Sequence, residues 1–243
     1  TDSAEALGSH WRFGKMTSKK LFLFDVDGTL ISPGGVSRGL LGKAISQETG
    51  QDVELGYNDV AGFTDRSITR HALAKLDHGG LVSESLLNTI LEHYVDSMKT
   101  EFYHSNEPFI YEDCITLLEA VENAGHATCI LTGNMKSVSQ IKLGKFGLWE
   151  RFRFGIFADD AEEKSSMPRL AREKAWDVMA ESFRLENMIL VGDTVQDAEA
   201  ATENECQSVI VCRKSEKKEL IRSANPTYLV NDLSDQEMIT AII

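Results

Sequence analysis

The stretch LFLFDVDGTL, residues 21–30, decides the fold. Its first four residues form an unbroken apolar run, which predicts a strand buried on both faces. The run leads directly into two aspartates, Asp25 and Asp27, one residue apart. A carboxylate at the end of a buried strand costs free energy unless something pairs with it, and two neighbouring carboxylates also repel each other. The stretch therefore predicts that a cation is bound where this strand ends.

The composition of the chain is that of a globular protein. The 243 residues are 42% hydrophobic and 26% charged, which suits one large domain or one domain with a smaller insert. The net charge of −13 disfavours non-specific binding to nucleic acid or to an anionic membrane. No apolar stretch approaches the roughly 20 residues that span a bilayer. The four cysteines show no CxxC spacing, so we expect packing residues in a reducing cytoplasm.

Apolar runs alternate with helical patterns along most of the chain. After the first strand, the runs that predict strands cover residues 127–133, 154–159, 188–193, 208–213 and 227–230. This alternation predicts an α/β fold with a doubly wound parallel sheet. A largely helical stretch interrupts it after the first strand and predicts an inserted all-α cap domain, residues 34–106. We expect a core domain formed by residues 16–33 and 107–243, and a tag or an extension at residues 1–15.

Polar residues follow several predicted strands, at the edge where open parallel sheets bind ligands. Carboxylates without histidine or cysteine favour Mg²⁺ over zinc. The expected metal ligands are Asp25, Asp27 and Asp193, and we expect Asp197 to support them from the next helix. A bound cation would also attract a phosphate oxygen. The expected phosphate-binding residues are Thr132, Gly133, Asn134 and Lys164.

Three motifs, DVDGT, LTGN and VGDTVQD, resemble those of the haloacid dehalogenase superfamily in their order and in the apolar runs before them. The resemblance covers about residues 20–215, and the helical insert after the first motif is similar to the cap of the phosphoglycolate phosphatase-like branch. It implies that Asp25 is a nucleophile that forms an aspartyl-phosphate. It further implies that Asp27 protonates the leaving alcohol and later activates water. The backbone carbonyl of Asp27 would bind Mg²⁺ together with Asp25 and Asp193.

The cation that binds the phosphate has three candidates. The family usually supplies a lysine or an arginine after the third strand, and Lys164 stands at that place. Arg169 and Arg172 follow it within a predicted helix, where a solvent-exposed position is the simpler interpretation. We expect Lys164, because a compact ammonium would offset the excess of negative charge near Asp25.

The predicted cap offers fewer signals. The segment GFTD, residues 62–65, resembles the loop near the substrate in this branch. Thr64 and Asp65 are therefore candidate substrate contacts, although either would equally serve as a helix N-cap. Arg66 and Arg70 are candidates for a second anionic group of the substrate, with an exposed helix face as the alternative.

These observations predict a Mg²⁺-dependent phosphomonoester hydrolase that acts on a small phosphorylated metabolite. A sugar-phosphate mutase on the same scaffold is an alternative, because it would use the same two aspartates. A non-catalytic binding protein that kept the fold is another. A dehalogenase is disfavoured because a halide leaving group needs no proton from Asp27. Net release of free phosphate would distinguish the hydrolase from the mutase.

Overall fold

The computed structural model describes residues 19–76 and 82–243. Within these residues the strands are β1 (Leu21–Phe24), β2 (Ile31–Ser32), β3 (Phe109–Ile110), β4 (Ala127–Leu131), β5 (Gly155–Ile156), β6 (Met188–Gly192), β7 (Gln207–Val211) and β8 (Tyr228–Val230). The α-helices are α1 (Val36–Thr49), α2 (Tyr57–Val60), α3 (Asp65–Leu76), α4 (Glu84–Ser97), α5 (Glu112–Asn123), α6 (Lys136–Lys145), α7 (Met167–Met179), α8 (Val195–Glu203), α9 (Lys218–Ser223) and α10 (Gln236–Ile242). A π-helical turn, Met98–Phe102, continues α4. In the described part of the chain, no helix combines the length and the apolar character needed to cross a bilayer.

The main sheet has β1 near its centre. Six strands of the described residues lie in the order β5-β4-β1-β6-β7-β8, and every neighbouring pair is parallel. The side chains of β1 alternate between two hydrophobic clusters: Phe22 and Phe24 join one, Leu21 and Leu23 the other. All four are fully buried, so both faces of the sheet are covered. The predicted doubly wound parallel sheet is therefore confirmed.

The helical insertion leaves and rejoins the chain at one place. Helices α1 to α4 and the π-helical turn lie between β2 and β3 in the chain, as the helical pattern predicts. β2 and β3 pair antiparallel, with Ile31 opposite Ile110, and form a short ribbon. A Cβ on Gly34 would lie 2.6 Å from the Cβ of Glu107, so the two connecting segments touch. The boundaries of a separate cap domain stay a prediction, and the predicted extension at 1–15 lies outside the described residues.

Several short elements differ from the sequence-based expectation. The sequence does not predict the ribbon, α2, α9 or α10. Each of these elements has only two to seven residues, which carry too little hydrophobic periodicity to be recognised. The strand expected over residues 154–159 is limited to Gly155–Ile156. It ends early because the chain turns: the backbone amide of Phe157 donates to Asp160 Oδ2 at 2.9 Å, and the Asp160 amide donates back to the Phe157 carbonyl.

Candidate active site

A tight turn after β1 brings the first acidic motif against the last one. The Asp25 amide still donates to the Val191 carbonyl at 2.9 Å, which extends the pairing of β1 with β6. The chain then turns at Gly28, whose φ is +84°, and the Gly28 amide donates to the carbonyl of Ile31 at 2.8 Å. A Cβ on Gly28 would lie 2.2 Å from Asp193 Oδ2. Glycine is therefore required here both for the backbone conformation and for the close approach of Asp193.

Three carboxylates meet at this edge of the sheet. One oxygen from each of Asp25, Asp193 and Asp197 lies within 4.8 Å of the others. Burial, with the neighbouring carboxylates, raises the pKa of Asp25 to about 6 and that of Asp193 well above its usual range, although Lys164 lowers both in part. Among the described residues, Asp193 Oδ1 has no hydrogen-bond partner. A hard divalent cation fits this donor set, because it would bind the oxygens and relieve their repulsion.

Lys164 is the buried cation of this cluster. It lies in a short 3₁₀ turn just before α7, and its Nζ is 3.2 Å from Asp25 Oδ2 and 2.6 Å from Asp197 Oδ1. Burial lowers its pKa, but the carboxylates of Asp197 and Asp25 outweigh burial and hold the pKa of Lys164 above its ordinary value. Of the alternative cations, Arg169 donates to Asn204 Oδ1 at 3.1 Å, and neither it nor Arg172 lines the cavity described below. The geometry favours Lys164, and its contact with phosphate stays a prediction.

Asp197 supports the cluster from the first turn of α8. Its Oδ2 accepts hydrogen bonds from the Thr194 amide at 3.0 Å and from the Thr194 hydroxyl at 2.5 Å, while the Asp197 amide donates back to Thr194 Oγ1. This reciprocal capping box fixes the Asp197 carboxylate. Its remaining oxygen is directed at Lys164, which it holds beside Asp25. Asp197 therefore contacts Lys164 beside the cluster, and its supporting role toward a bound metal stays a prediction.

The side chain of Asp27 belongs to a different network. Its Oδ2 accepts from Lys142 Nζ at 2.5 Å and from Asn134 Nδ2 at 3.2 Å. Asn134 Nδ2 also donates to Thr132 Oγ1 at 2.9 Å, and Asn134 Oδ1 accepts from Lys142 at 2.6 Å. The side-chain amide of Asn134 therefore contacts Asp27 directly and also binds Lys142, the other partner of Asp27. Binding of phosphate by Thr132, Gly133 and Asn134 stays a prediction.

Lys142 is a site residue that the sequence reasoning missed. Its side chain is 1% exposed, so its ammonium depends on Asp27 and Asn134 for the hydrogen bonds that water would otherwise supply. A signal was present in the sequence. Lys142 lies four residues after Val138 and next to Leu143, on the buried face of α6. A lysine on the apolar face of an amphipathic helix indicates a buried partner carboxylate.

Asp65 joins the insert to the LTGN loop. Its amide donates to the carbonyl of Gly133 at 2.8 Å, and its Oδ2 accepts from the amide of Met135 at 2.8 Å. A Cβ on Gly133 would lie 2.3 Å from the carbonyl oxygen of Phe63, so only glycine allows the two loops to pack this closely. Burial raises the pKa of Asp65 to about 6. The loop at residues 62–65 therefore packs directly on the strand-end loop.

Thr64 has a comparable connecting role. Its hydroxyl donates to the carbonyl of Glu162 at 3.0 Å and accepts from the amide of Ser67 at 3.1 Å, which caps the first turn of α3. Asp65 lines the cavity and Thr64 does not. A substrate contact by either residue stays a prediction.

A cavity of about 370 Å³ lies between the strand ends and the helical insert. The predicted site residues that line it are Asp25, Asp27, Thr132, Gly133, Asn134, Lys164 and Asp193. The insert contributes a mostly apolar wall that includes Leu41, Val60, Phe63 and Ile68. The site therefore combines an acidic end with two buried lysines and an apolar end formed by the insert.

The fold and the site together define a class of α/β proteins whose ligands bind at the carboxyl edge of a doubly wound sheet, beneath an inserted helical unit. The chain belongs to the haloacid dehalogenase-like hydrolase family, whose sequence model matches residues 22–211. The resemblance predicted from the three motifs is thereby confirmed. No curated protein matches the sequence.

Solved structures share the fold over nearly the whole chain. A hydrolase from Pseudomonas syringae is 17% identical, with a TM-score of 0.72, and the match covers 93% of this chain and 99% of that one. A predicted phosphoglycolate phosphatase from Haemophilus somnus is 18% identical, with a TM-score of 0.67, over 93% and 100% of the two chains. A predicted phosphatase from Clostridium acetobutylicum is 20% identical, with a TM-score of 0.64, over 92% and 98%. At these identities the likeness shows the fold.

Proposed function

We propose that the protein is a Mg²⁺-dependent phosphomonoester hydrolase that acts on a small phosphorylated metabolite. The observation that carries the proposal is the pairing of Asp25 with Lys164 at 3.2 Å in a cavity that also exposes Asp27. A nucleophile, a cation for the phosphoryl oxygens and a proton donor therefore share one enclosed space. Two of the structurally similar proteins are predicted phosphatases, which supports the same proposal.

Asp25, Asp193 and the backbone carbonyl of Asp27 are the proposed ligands of Mg²⁺. The donor chemistry fits, because these ligands are hard oxygens and the buried carboxylate of Asp25 lies close to the partly buried carboxylate of Asp193, so that the two repel each other. When bound, the ion supplies positive charge that offsets the charge of the phosphoryl oxygens.

In the first half of the reaction, the Asp25 carboxylate attacks phosphorus in line with the ester oxygen. A bond forms between Asp25 and phosphorus while the bond between phosphorus and the ester oxygen breaks. The carboxylic acid of Asp27 donates its proton to that oxygen, and a neutral alcohol leaves. Lys164 offsets negative charge on the phosphoryl group, and Lys142 and Asn134 hold Asp27 in one orientation.

In the second half, Asp27 is a carboxylate and acts as a base. It takes a proton from a water molecule that attacks the phosphorus of the aspartyl-phosphate. The bond between phosphorus and Asp25 breaks, free phosphate forms, and both aspartates return to their starting protonation states. The apolar wall of the cavity would keep other water away from the intermediate.

The test is hydrolysis of a panel of phosphate monoesters, with and without Mg²⁺, by the wild-type protein and by Asp25→Asn. We expect the substitution to lower turnover by more than about 10³-fold, because asparagine has nearly the same shape but is a poor nucleophile. Asp160→Asn is the matched control, since Asp160 follows β5 at the same edge but does not line the cavity. Near-normal turnover by Asp25→Asn would refute the assignment.

The same experiment addresses the alternatives. A mutase would retain its phosphoryl group and release little free phosphate, whereas the hydrolase releases one phosphate for each ester consumed. A non-catalytic binding protein would show neither turnover nor a mass increase of one phosphoryl group on Asp25.

We propose a cytoplasmic location for the protein, because its four cysteines are free and buried.

A further inference from the structure

The arginines that the sequence suggested for a second anionic group are already paired. Arg66 contacts Glu84 at 3.1 Å and also donates to Asn88. Arg70 forms ion pairs with Glu84 at 2.6 Å and with Glu162 at 3.1 Å. Neither arginine lines the cavity. In this acidic chain they are neutralised by the protein itself, so they leave no positive charge for a ligand.

Three other cations do line the cavity without a carboxylate partner. They are Arg38 in the first turn of α1, and Lys214 and Lys217 after β7. In the described part of the chain, none of the three forms an ion pair. With 38 acidic and 25 basic residues in the chain, partners for lysine are abundant. Lys214 is exposed and Arg38 and Lys217 are partly buried, so the charges of all three remain available to a ligand in the cavity.

Tyr57 holds the two lysines at the cavity. The Lys217 nitrogen lies 3.3 Å and the Lys214 nitrogen 4.6 Å from the centre of the Tyr57 ring. A cation over an aromatic face is stabilised without being neutralised, so it can still bind an anion. Burial and the nearby charge of Lys214 lower the pKa of Lys217, and Asp193 and Glu216 offset this only in part.

Tyr57 also connects this cation pair to the acidic end of the cavity. The ring lines the same cavity as Asp25, Asp193 and the two lysines. A ligand whose phosphate lies beside Asp25 and Lys164 would therefore extend past Tyr57 toward the two lysines. One small molecule can reach both ends of a cavity of about 370 Å³.

We infer that the substrate is a phosphate ester with a second anionic group, and that Lys214 and Lys217 bind this second group while Tyr57 packs beside it. The inference rests on the proposed phosphatase function for the role of the first phosphate. The second group is a carboxylate or another phosphate, since both accept charge-assisted hydrogen bonds from ammonium groups. A neutral substituent of the same shape would leave the two lysines unpaired.

The experiment measures selectivity on a matched set of alkyl phosphates. The esters have the same chain and end in a carboxylate, a second phosphate or a neutral carboxamide. The selectivity is the ratio of kcat/KM for each anionic ester to kcat/KM for the carboxamide. We expect the wild-type protein to prefer one anionic ester by about 10-fold or more, and the double variant Lys214→Gln/Lys217→Gln to lose most of that preference. The preferred ester identifies the anion.

Lys218→Gln is the matched control. Lys218 is next in the chain, but its ammonium donates to Asn231 Oδ1 at 3.2 Å and does not line the cavity. We expect this variant to keep the wild-type selectivity. The same selectivity in the wild type and in the double variant would overturn the inference. An equal loss in Lys218→Gln would also overturn it, because the effect would then follow from net charge alone.

A binding measurement separates this inference from the proposed function. The alkyl bisphosphate is titrated calorimetrically into Asp25→Asn, with and without the two lysine substitutions. Binding that weakens about 10-fold on loss of the lysines supports the second anion site even if no ester is hydrolysed, an outcome that would refute only the phosphatase. Hydrolysis that depends on Asp25, without selectivity and without lysine-dependent binding, would refute only the second anion site.

Discussion

Replacing Lys142 with methionine tests how Asp27 is held. Methionine keeps an unbranched apolar chain in the space that the lysine stem fills, but it removes the ammonium. Asp27 Oδ2 would keep only the hydrogen bond from Asn134 Nδ2, at 3.2 Å, and Asn134 Oδ1 would lose the bond from Lys142. The acidic edge would also lose one of the two buried cations that contact its described aspartates.

The size of the effect follows from the burial of the two partners. Removing one partner of a fully buried ion pair costs about 3–5 kcal/mol, because the other charge is left uncompensated. Lys142 is 1% exposed but the Asp27 side chain is 34% exposed, so water can solvate the remaining carboxylate in part. We therefore expect the free energy of unfolding to fall by about 2 kcal/mol, below that range.

The effect on catalysis should depend on the leaving group. A misdirected Asp27 is a poor proton donor, so we expect kcat for an alkyl phosphate to fall by about 10²-fold. An aryl phosphate should lose less, because its leaving group departs with little help from an acid. Urea unfolding gives the stability, and steady-state hydrolysis of the two esters gives the rates.

Lys136→Met is the control, since Lys136 is exposed at the start of the same helix. The reasoning is refuted if Lys142→Met is as stable and as active as this control. Equal losses on the alkyl and the aryl ester would show that Lys142 acts on something other than the proton donor.

Three further perturbations test the charges of the site. Removal of metal with EDTA should abolish hydrolysis and Mg²⁺ should restore it, whereas Ca²⁺, with its looser coordination, should inhibit; full activity in the chelator would contradict the metal site. Lys164→Ala should lower kcat/KM by at least about 10²-fold, and Arg172→Ala should change it little. A similar effect of both substitutions in the same assay would exclude Lys164 as the cation that binds the phosphate. Burial raises the pKa of Asp65 from 3.8 to about 6, so the folded protein binds a proton on the Asp65 carboxyl more tightly than the unfolded chain does. The free energy of unfolding that this proton contributes is complete below about pH 4 and is lost as the pH rises through about 6. Asp65→Asn cannot titrate, so its melting temperature relative to the wild type should rise between those pH values, and a constant difference would contradict the assignment.

The sequence predicted the parts of the site that lie on the main sheet. Residues 21–24 form an apolar run typical of a buried strand, and the carboxyl ends of parallel strands meet at one edge, so the sequence alone predicts that Asp25 and Asp193 lie together. The structure brings their carboxylates into one cluster. Local patterns were sufficient because a strand has only two faces and the parallel order fixes which ends meet.

The remaining parts depend on contacts that local patterns do not encode. The contact of Lys142 with Asp27 depends on how α6 is rotated against the sheet. Lys214 and Lys217 reach the cavity only because the segment after β7 returns to Tyr57 on the insert. The pairing of β2 with β3 joins residues that are far apart in the chain, and each strand has two residues. Sequence reasoning therefore recognised the acidic cluster but missed the contact of Lys142 with Asp27.

The short ribbon formed by β2 and β3 allows the insert to change in length without a change in the main sheet. Because Ile31 lies opposite Ile110, the chain departs and returns at adjacent points, whatever length of polypeptide runs between them. The register of β1 is set by its parallel neighbours, with Leu21 opposite Ala127 and Met188, and not by anything in the insert. Lengthening such a loop costs little additional closure entropy. The apolar wall of the cavity can therefore be remodelled, or exchanged whole, while the carboxylates at the strand ends keep their places.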